Sequence, residues 1–437
     1  MNALKPTLMA VSLFAAIAYP AAADNLMDIY QAARLQDPTY ASAAATYQAN
    51  IEAYPQARAA LLPQVSATGA TTWNDSKTDL FAGGTANSQY NTNSLVVTAK
   101  QSLYNQANYA ALEQGKLTVD LAEIQLKSAK QSLILRVAQA YFNVLAAMDK
   151  ITYINQQKAA ISQQLAQAKA SFEVGTATIT DTNEAQAKYD LMIATEIAAQ
   201  NDLAIKQETL RQLAGKPFNG VAPLVNTNRI NLKGSNLDWQ NTAQQDSLAV
   251  KAGLIQKSIA EEEIKRVKAG HLPTLDLVAN SGRSTTHGSS SPGRTNYNNI
   301  GLQLTIPIYS GGSVTSQSRA AVAKDEAARQ DLEAARRSAL QDANTSYLGV
   351  VSGEAQVKAL EQALVSADSV LKSTKLGQEV GVRTNIDVLN AQQSYFSAQN
   401  DLSAARYSYL LSYLSLKSVA GQLDEADVAE INQRLGN

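Results

Sequence analysis

No cysteine occurs anywhere in the 437 residues. The chain therefore makes no disulfide and offers no thiol for an N-terminal lipid anchor, so its stability must come from packing or assembly. Histidine is nearly as scarce. His271 and His287 stand alone near turn residues, and no cluster of Cys, His or carboxylates has metal-ligand or triad spacing. That absence speaks against an enzyme and implies no cofactor. Charged residues make up only 17% and the net charge is −1, with no basic stripe of the kind that binds nucleic acid. No window after the N-terminus supplies the roughly 18 uninterrupted apolar residues of a transmembrane helix.

What is present begins with Met1 to Ala23: an early Lys5, an apolar run from Leu8 to Ala18 and the small residues Ala21-Ala22-Ala23. This is the layout of a secretory signal cleaved before Asp24, which places the mature chain outside the cytoplasm. Beyond it the chain repeats itself. Glu173-Val174-Gly175-Thr176-Ala177-Thr178-Ile179-Thr180-Asp181 returns as Glu379-Val380-Gly381-Val382-Arg383-Thr384-Asn385-Ile386-Asp387, an offset of 206 that holds to Ala214-Gly215 and Ala420-Gly421. A tandem duplication follows.

Each copy opens on a helical pattern. Asn25 to Leu62 reads as two helices divided at Asp37-Pro38, and the second copy runs from Asn236 through Asp246 to Leu272. Leu62-Pro63 and Leu272-Pro273 end these helices, and the period then changes from helical to two. Val65, Ala67, Gly69, Thr71 and Trp73 alternate with polar or small residues, as do Leu95, Val97, Ala99 and Leu103. The second copy has Leu275, Leu277 and Ala279, then Ile300, Leu302, Leu304, Ile306 and Ile308. Asn74 to Asn93 and Gly282 to Asn296 have the composition of exposed loops, so each copy carries a hairpin of strands about ten residues long. Trp73, Tyr104, Tyr297 and Tyr309 edge them as aromatics edge outer-membrane strands. A soluble sandwich would show the same alternation. Four strands cannot close a barrel, yet open edges cannot stand in lipid, so several chains must pool strands: three would give twelve and two would give eight.

From Gln106 to Phe172 the pattern is helical for about 65 residues, roughly 100 Å. Leu112, Val119, Leu126, Leu133, Ala140, Ala147, Ile154, Ile161 and Ala168 recur at steps of seven, a seam calling for partner helices; Val350, Val357, Leu364 and Leu371 repeat it. After each Gly a shorter helix returns, Asp181 to Leu213 and Asp387 to Val419. Domain organisation follows: signal 1–23, helices 24–64, barrel hairpin 65–104, helical hairpin 105–215, linker 216–235, helices 236–272, barrel hairpin 273–309, helical hairpin 310–421 and a polar tail 422–437.

Taken in order, Val380-Gly381-Val382-Arg383-Thr384-Asn385-Ile386-Asp387-Val388-Leu389-Asn390-Ala391-Gln392, Ala405-Arg406-Tyr407-Ser408-Tyr409-Leu410, Ser102-Leu103-Tyr104-Asn105 and Pro307-Ile308-Tyr309-Ser310-Gly311-Gly312 make the chain resemble the TolC family of outer-membrane efflux and secretion channels. The resemblance implies an α+β membrane protein: a homotrimer whose twelve-stranded barrel sits in outer-membrane lipid and continues into a helical coiled-coil barrel across the periplasm. It implies a duct without catalysis, gated at the helix tips. There it meets a periplasmic adaptor joined to an inner-membrane ABC exporter or proton-driven pump. A barrel-anchored adhesive coiled coil is the alternative of another class, although an adhesin needs only one anchor and one stalk.

Gly175 and Gly381 are first of all helix stops, and the resemblance adds adaptor docking on them and on Val174 and Val380. Asp181, with Glu184 three residues on, has capping-box spacing, and Asp387 likewise starts a helix. The resemblance puts Asp387 at the narrowest point, where three copies would form a carboxylate ring that concentrates cations. Asn390 and Gln378 replace an Asp and a Tyr found in some relatives, which weakens the ring and the closed network. Arg383 is retained and is expected either to bond Asp181 or Thr180 of a neighbouring hairpin or to stand as a solvated tip charge.

Overall fold

A computed structural model describes residues 23–79, 81, 83–230, 232–289 and 291–436; the export signal lies outside these apart from Ala23. Helices α1 (Leu26–Gln36), α2 (Pro38–Ile51) and α3 (Ala53–Ala59) lead to strands β1 (Gln64–Asp79) and β2 (Thr85–Tyr104), then α4 (Gln106–Glu173) and α5 (Ile179–Ala214). The second copy gives α6 (Asn236–Asp246), α7 (Leu248–Lys268), β3 (Thr274–His287), β4 (Gly293–Thr305), α8 (Ser313–Glu379) and α9 (Asn385–Val419), and α10 (Glu425–Asn432) closes the chain.

The first helical segment has three helices rather than two. Pro55 lacks an N–H and its ring would strike the carbonyl of Ile51, so α2 stops there and α3 begins anew. α3 then lies close on α4: a Cβ on Gly115 would come within 3.0 Å of the Ala53 carbonyl oxygen and 3.1 Å of the Ala57 Cβ. Gly253 receives Leu332 of α8 in the same way, at 3.3 Å. Each copy's lead helices thus supply the length that its return helix lacks.

All four strands form one antiparallel sheet in the order β1-β2-β3-β4. They are 16, 20, 14 and 13 residues long, not about ten, and most of the two stretches expected as loops is strand. Pairing continues unbroken from Gln64 with Lys100 to Asp79 with Thr85. The reason is that backbone ladders do not require apolar side chains: near the helices one face is apolar, whereas the far halves are polar on both faces and read in the sequence as loop. The expected length describes only the apolar part.

Register also sorts the aromatics, since directly paired residues share a face. Trp73 stands mid-strand on the face of Val65, Leu95, Leu302 and Leu304. Tyr104 is the last residue of β2, and a bulge between Ser102 and Tyr104 sets it opposite Leu275 on that apolar face. Tyr297 does not edge the apolar face: it pairs with Gly282 on the polar one, its ring so close that a Cβ on Gly282 would lie 2.6 Å from Cζ. Tyr309, with Ile306 and Ile308, falls beyond the end of β4. The polar face carries Lys100 bonded to Asp276 at 2.8 Å and a ladder in which Thr98 donates to Asn280 (2.7 Å) and Asn280 to Asn299 (2.9 Å).

The main core lies at mid-length. Tyr141 and Phe142 of α4 are fully buried; Phe142 stacks on Tyr407 of α9 with ring centroids 5.6 Å apart, and the Tyr407 hydroxyl donates to Asp149. Leu133, Ala140, Ala147, Ile154, Ile161 and Ala168 of the heptad seam are buried, while Leu112, Val119 and Leu126, nearer the sheet, are half-buried. Segment 216–235 is not a free linker: Val221, Ala222 and Ile230 are buried, and bridges tie Asp24 to Val221 and Leu224 to Leu435. Nor is the tail merely polar. Val428, Ile431 and Leu435 enter the core, and Glu425 binds Tyr30, Arg34 and Lys130.

Asp37 performs two tasks while almost wholly buried: it caps α2 by accepting from Tyr40 N at 2.7 Å and takes both arms of Arg136 at 2.9 Å. The Arg136 bonds hold its carboxyl below the ordinary range despite burial. Asp37→Ala should cost about 3 kcal/mol, from a lost cap of ~1 and a lost charge-assisted pair of ~2. Asp37→Asn should keep the cap and lose only the pair. Because the folded-state pKa is depressed, the wild-type advantage over Asp37→Asn should be complete at neutral pH, begin to fall near the unfolded value of about 4 and be lost as pH drops through the lower folded-state pKa. Thermal unfolding in detergent across pH reads both effects.

Candidate functional site

The two helical hairpins, α4 with α5 and α8 with α9, run side by side to free ends made of the same turn. α4 stops at Val174 and α8 at Val380, and Gly175 (φ 77°) and Gly381 (φ 80°) take the left-handed conformation that a residue with a Cβ resists. Thr176 and Ala177 donate backbone N–H groups to the Ser171 carbonyl at 2.8 and 3.2 Å, and Val382 and Arg383 donate theirs to Gly377 at 2.9 and 3.1 Å. These bonds satisfy carbonyls that a helix end would leave bare. At the outermost points Val174, Val380 and Val382 are 74%, 66% and 75% exposed, an apolar surface with nothing of the chain over it.

The return helices begin two residues earlier than the sequence pattern placed them, and their caps are Thr178 and Thr384 rather than the aspartates. Asp181 is the third helical residue: its Oδ2 accepts from Thr178 N (2.9 Å) and Thr178 Oγ1 (2.8 Å), and its own N–H returns to that hydroxyl. Glu184 takes no part in the box. Asp387 repeats the arrangement with Thr384 at 2.9 and 2.8 Å. The Thr384 amide, its hydroxyl and the charge of Arg383 together hold the Asp387 carboxyl below the usual carboxylate range, so it is fully ionised at neutral pH. In both aspartates the box occupies Oδ2, and among the described residues Oδ1 has no hydrogen-bond partner.

Asp387 is half-buried and Asn390 exposed one turn on, on the same helix face. Gln378 reaches Asn385 at 3.5 Å across its own turn. Arg383 is exposed, and among the described residues it makes no ion pair with Asp181 and no bond to Thr180. The two tips are instead joined a little farther in. Leu389 of α9 packs with Ile161, Leu165 and Ala168 of α4 and Ala185 of α5, and Lys188 donates to Gln393 at 3.2 Å. Pattern reading had not singled out Leu389, Lys188 or Gln393. The sequence signal for this cluster is the heptad seam, which supplies its Ile161 and Ala168. Among the described residues no group of His, Cys, Asp or Glu could hold a metal ion, and no helix is long and apolar enough to cross a membrane.

A family model described as outer membrane efflux protein matches residues 29–216 and again 239–422, one match to each copy. The outer membrane protein TolC of Vibrio cholerae serotype O1 is 36% identical over 425 residues, covering 94% of this chain and 94% of that protein. The alkaline protease secretion protein AprF of Pseudomonas aeruginosa is 30% identical over 413 residues, 92% of this chain and 86% of its own length. The crystal structure of the outer membrane protein VceC from Vibrio cholerae has the same fold, with a TM-score of 0.76 over 91% of this chain and 96% of that one at 17% identity.

The capping boxes give a local test. Thr384→Ala should speed amide exchange at residues 385–387 by a factor of about five, as expected for a typical lost cap. Thr384→Ser should not, and Thr178→Ala should do the same to the other tip; exchange followed by mass spectrometry distinguishes the three.

Proposed function

The chain belongs to the outer membrane efflux protein family, and from that premise we propose a gated, three-chain duct whose opening is set where the helical hairpins end. The protein is an outer-membrane channel of the efflux and secretion type, reaching into the periplasm, and is not an enzyme. The observation that carries the multi-chain reading is the open sheet, and the count of three comes from the family resemblance: among the described residues β1 and β4 are paired on one side only, and the apolar face, with Ile300 74%, Val65 69% and Leu302 66% exposed, is bare. Hydrocarbon tolerates a bare apolar face but not an unpaired backbone edge. Joining β4 of one chain to β1 of the next satisfies both, and three chains close twelve strands. The helices then surround a lumen continuous with the barrel, and six tips meet at its far end.

Exposed Val174 and Val380 beside Gly175 and Gly381 offer apolar turns to a periplasmic adaptor, which would connect the duct to an inner-membrane ABC exporter or proton-driven pump. Asp387 supplies one carboxylate per chain toward the constriction, and its neighbour Asn390 adds no charge. The Oδ1 of Asp181 and the guanidinium of Arg383, which among the described residues have no partner, are complementary, and a bond between them across adjacent tips would hold the duct closed. An exposed pair of this kind contributes about 1 kcal/mol, so three would add a few, enough to bias two conformations.

Purified in detergent, the protein should have three times the chain's mass; a stable monomer would overturn the duct. Arg383→Ser combined with Asp181→Asn should raise single-channel conductance in planar bilayers. Asn is chosen over Ala because it leaves an acceptor oxygen for Thr178, so a change would report the gate and not a lost helix cap. Unchanged conductance in an assembled double variant would mean that packing around Leu389 holds the tips instead.

A further inference from the structure

The two tips share one backbone and differ in a reciprocal pair of side chains. In the first, the helix position whose carbonyl receives the turn is Ser171 and the residue that closes on it is Ala177. In the second the sizes are reversed, Gly377 in the helix and Arg383 on the turn. A Cβ built on Gly377 would lie 2.7 Å from Arg383 Cγ, 3.4 Å from its Cβ and 3.5 Å from Val382 Cγ2. Cγ is one bond from Cβ, so the mobile end of the arginine cannot relieve that clash; only a new χ1 rotamer or a displaced turn can. Glycine is also a costly choice here. Gly377 lies in the last turn of α8 without a positive φ, where alanine would stabilise the helix, so its backbone supplies no reason for glycine. The reason on view is the arginine stem that occupies the space of the missing Cβ.

We propose that Gly377 is a positioning residue of the gate: lacking a side chain, it holds Arg383 folded back over the end of α8, in the one rotamer from which the guanidinium meets its partner on the neighbouring tip. The proposal rests on the reading of Arg383 as a gate residue. It makes the closed end an alternation of unlike tips. Those of the second hairpin carry a directed cation; those of the first, with Ser171 filling the corresponding space and Ala177 opposite, present the carboxylate of Asp181. The closeness of Arg383 to Asp387, whose ionised form it favours, agrees with the folded-back arrangement.

Gly377→Ala in the full-length channel is the test, read by single-channel conductance and by a cryo-electron microscopy map of the tips. The expected result is a rise in conductance by the same factor as in Arg383→Ser, with no further rise in the double variant, because without the arginine stem alanine at 377 keeps only ordinary contacts, 3.4 Å to the Cβ of residue 383 and 3.5 Å to Val382 Cγ2. The map should show Arg383 in a different χ1 well. Alanine is the better helix former, so the thermal midpoint should not fall, which separates a moved arginine from a damaged helix. Wild-type conductance in Gly377→Ala while Arg383→Ser conducts more, or an Arg383 side chain unmoved in the map, would overturn the proposal. If Arg383→Ser itself leaves conductance unchanged, the gate reading falls, and the map alone decides whether Gly377 positions Arg383.

Discussion

Backbone groups at the rims of the four-stranded sheet have no strand partner among the described residues, and a membrane interior supplies none. Much of the architecture follows from that constraint. An edge in lipid must be joined to another edge, which calls for more chains. In the proposed duct the joined hairpins form a ring, and because each strand pair continues into a long helix, a ring of strands commits the helices to a ring as well. The duplication serves the same end. It places two hairpins of each chain in one sheet, so a small number of chains would suffice to close the proposed wall.

Length then raises a second problem, since helices of 68 and 67 residues cannot be stabilised by one globular core. The chain solves it with a continuous seam and small residues. Ala140, Ala147 and Ala168 let neighbouring helices come close, and Gly115 and Gly253 take the helices of the sheet-side half at contact distance. Aromatics are concentrated at mid-length, where Tyr141, Phe142 and Tyr407 meet and where segment 216–235 and α10 wrap the shaft. The middle is therefore the rigid part. Toward the tips the core shrinks to a few side chains around Leu389, an arrangement that suits the opening proposed for this end.

At the tips, structural and functional demands fall on the same residues. Asp181 and Asp387 each spend one carboxylate oxygen on a helix start and leave the other without a bond to the described residues, so capping is compatible with the gate role proposed for them. Gly175 and Gly381 are needed by the turn whatever docks there. Gly377 differs from both, because no backbone angle demands it, and the neighbouring arginine explains it instead.

The duplication, the long helices, the heptad seam, the glycine turns and the two hairpins were all legible in the sequence, because each depends on periodicity or on a residue type with a conformational monopoly. The ends of elements were not. Pro55 divides a helix that composition alone runs together; the Thr- and Asn-rich halves of the strands read as loop because pairing, not side-chain polarity, extends them; and Thr178 and Thr384 take the cap from the aspartates because the turn before them is two residues shorter than assumed. Tertiary structure alone decided which face each aromatic occupies, since a single bulge re-aims Tyr104 and register sends Tyr297 to the polar side. It alone decided that the linker and tail are core, and that Arg383 lies where Gly377 has no side chain. Sequence by itself determines what repeats along the chain, because local propensity acts over a few residues; what touches across hundreds of residues is set by packing, which no short window contains.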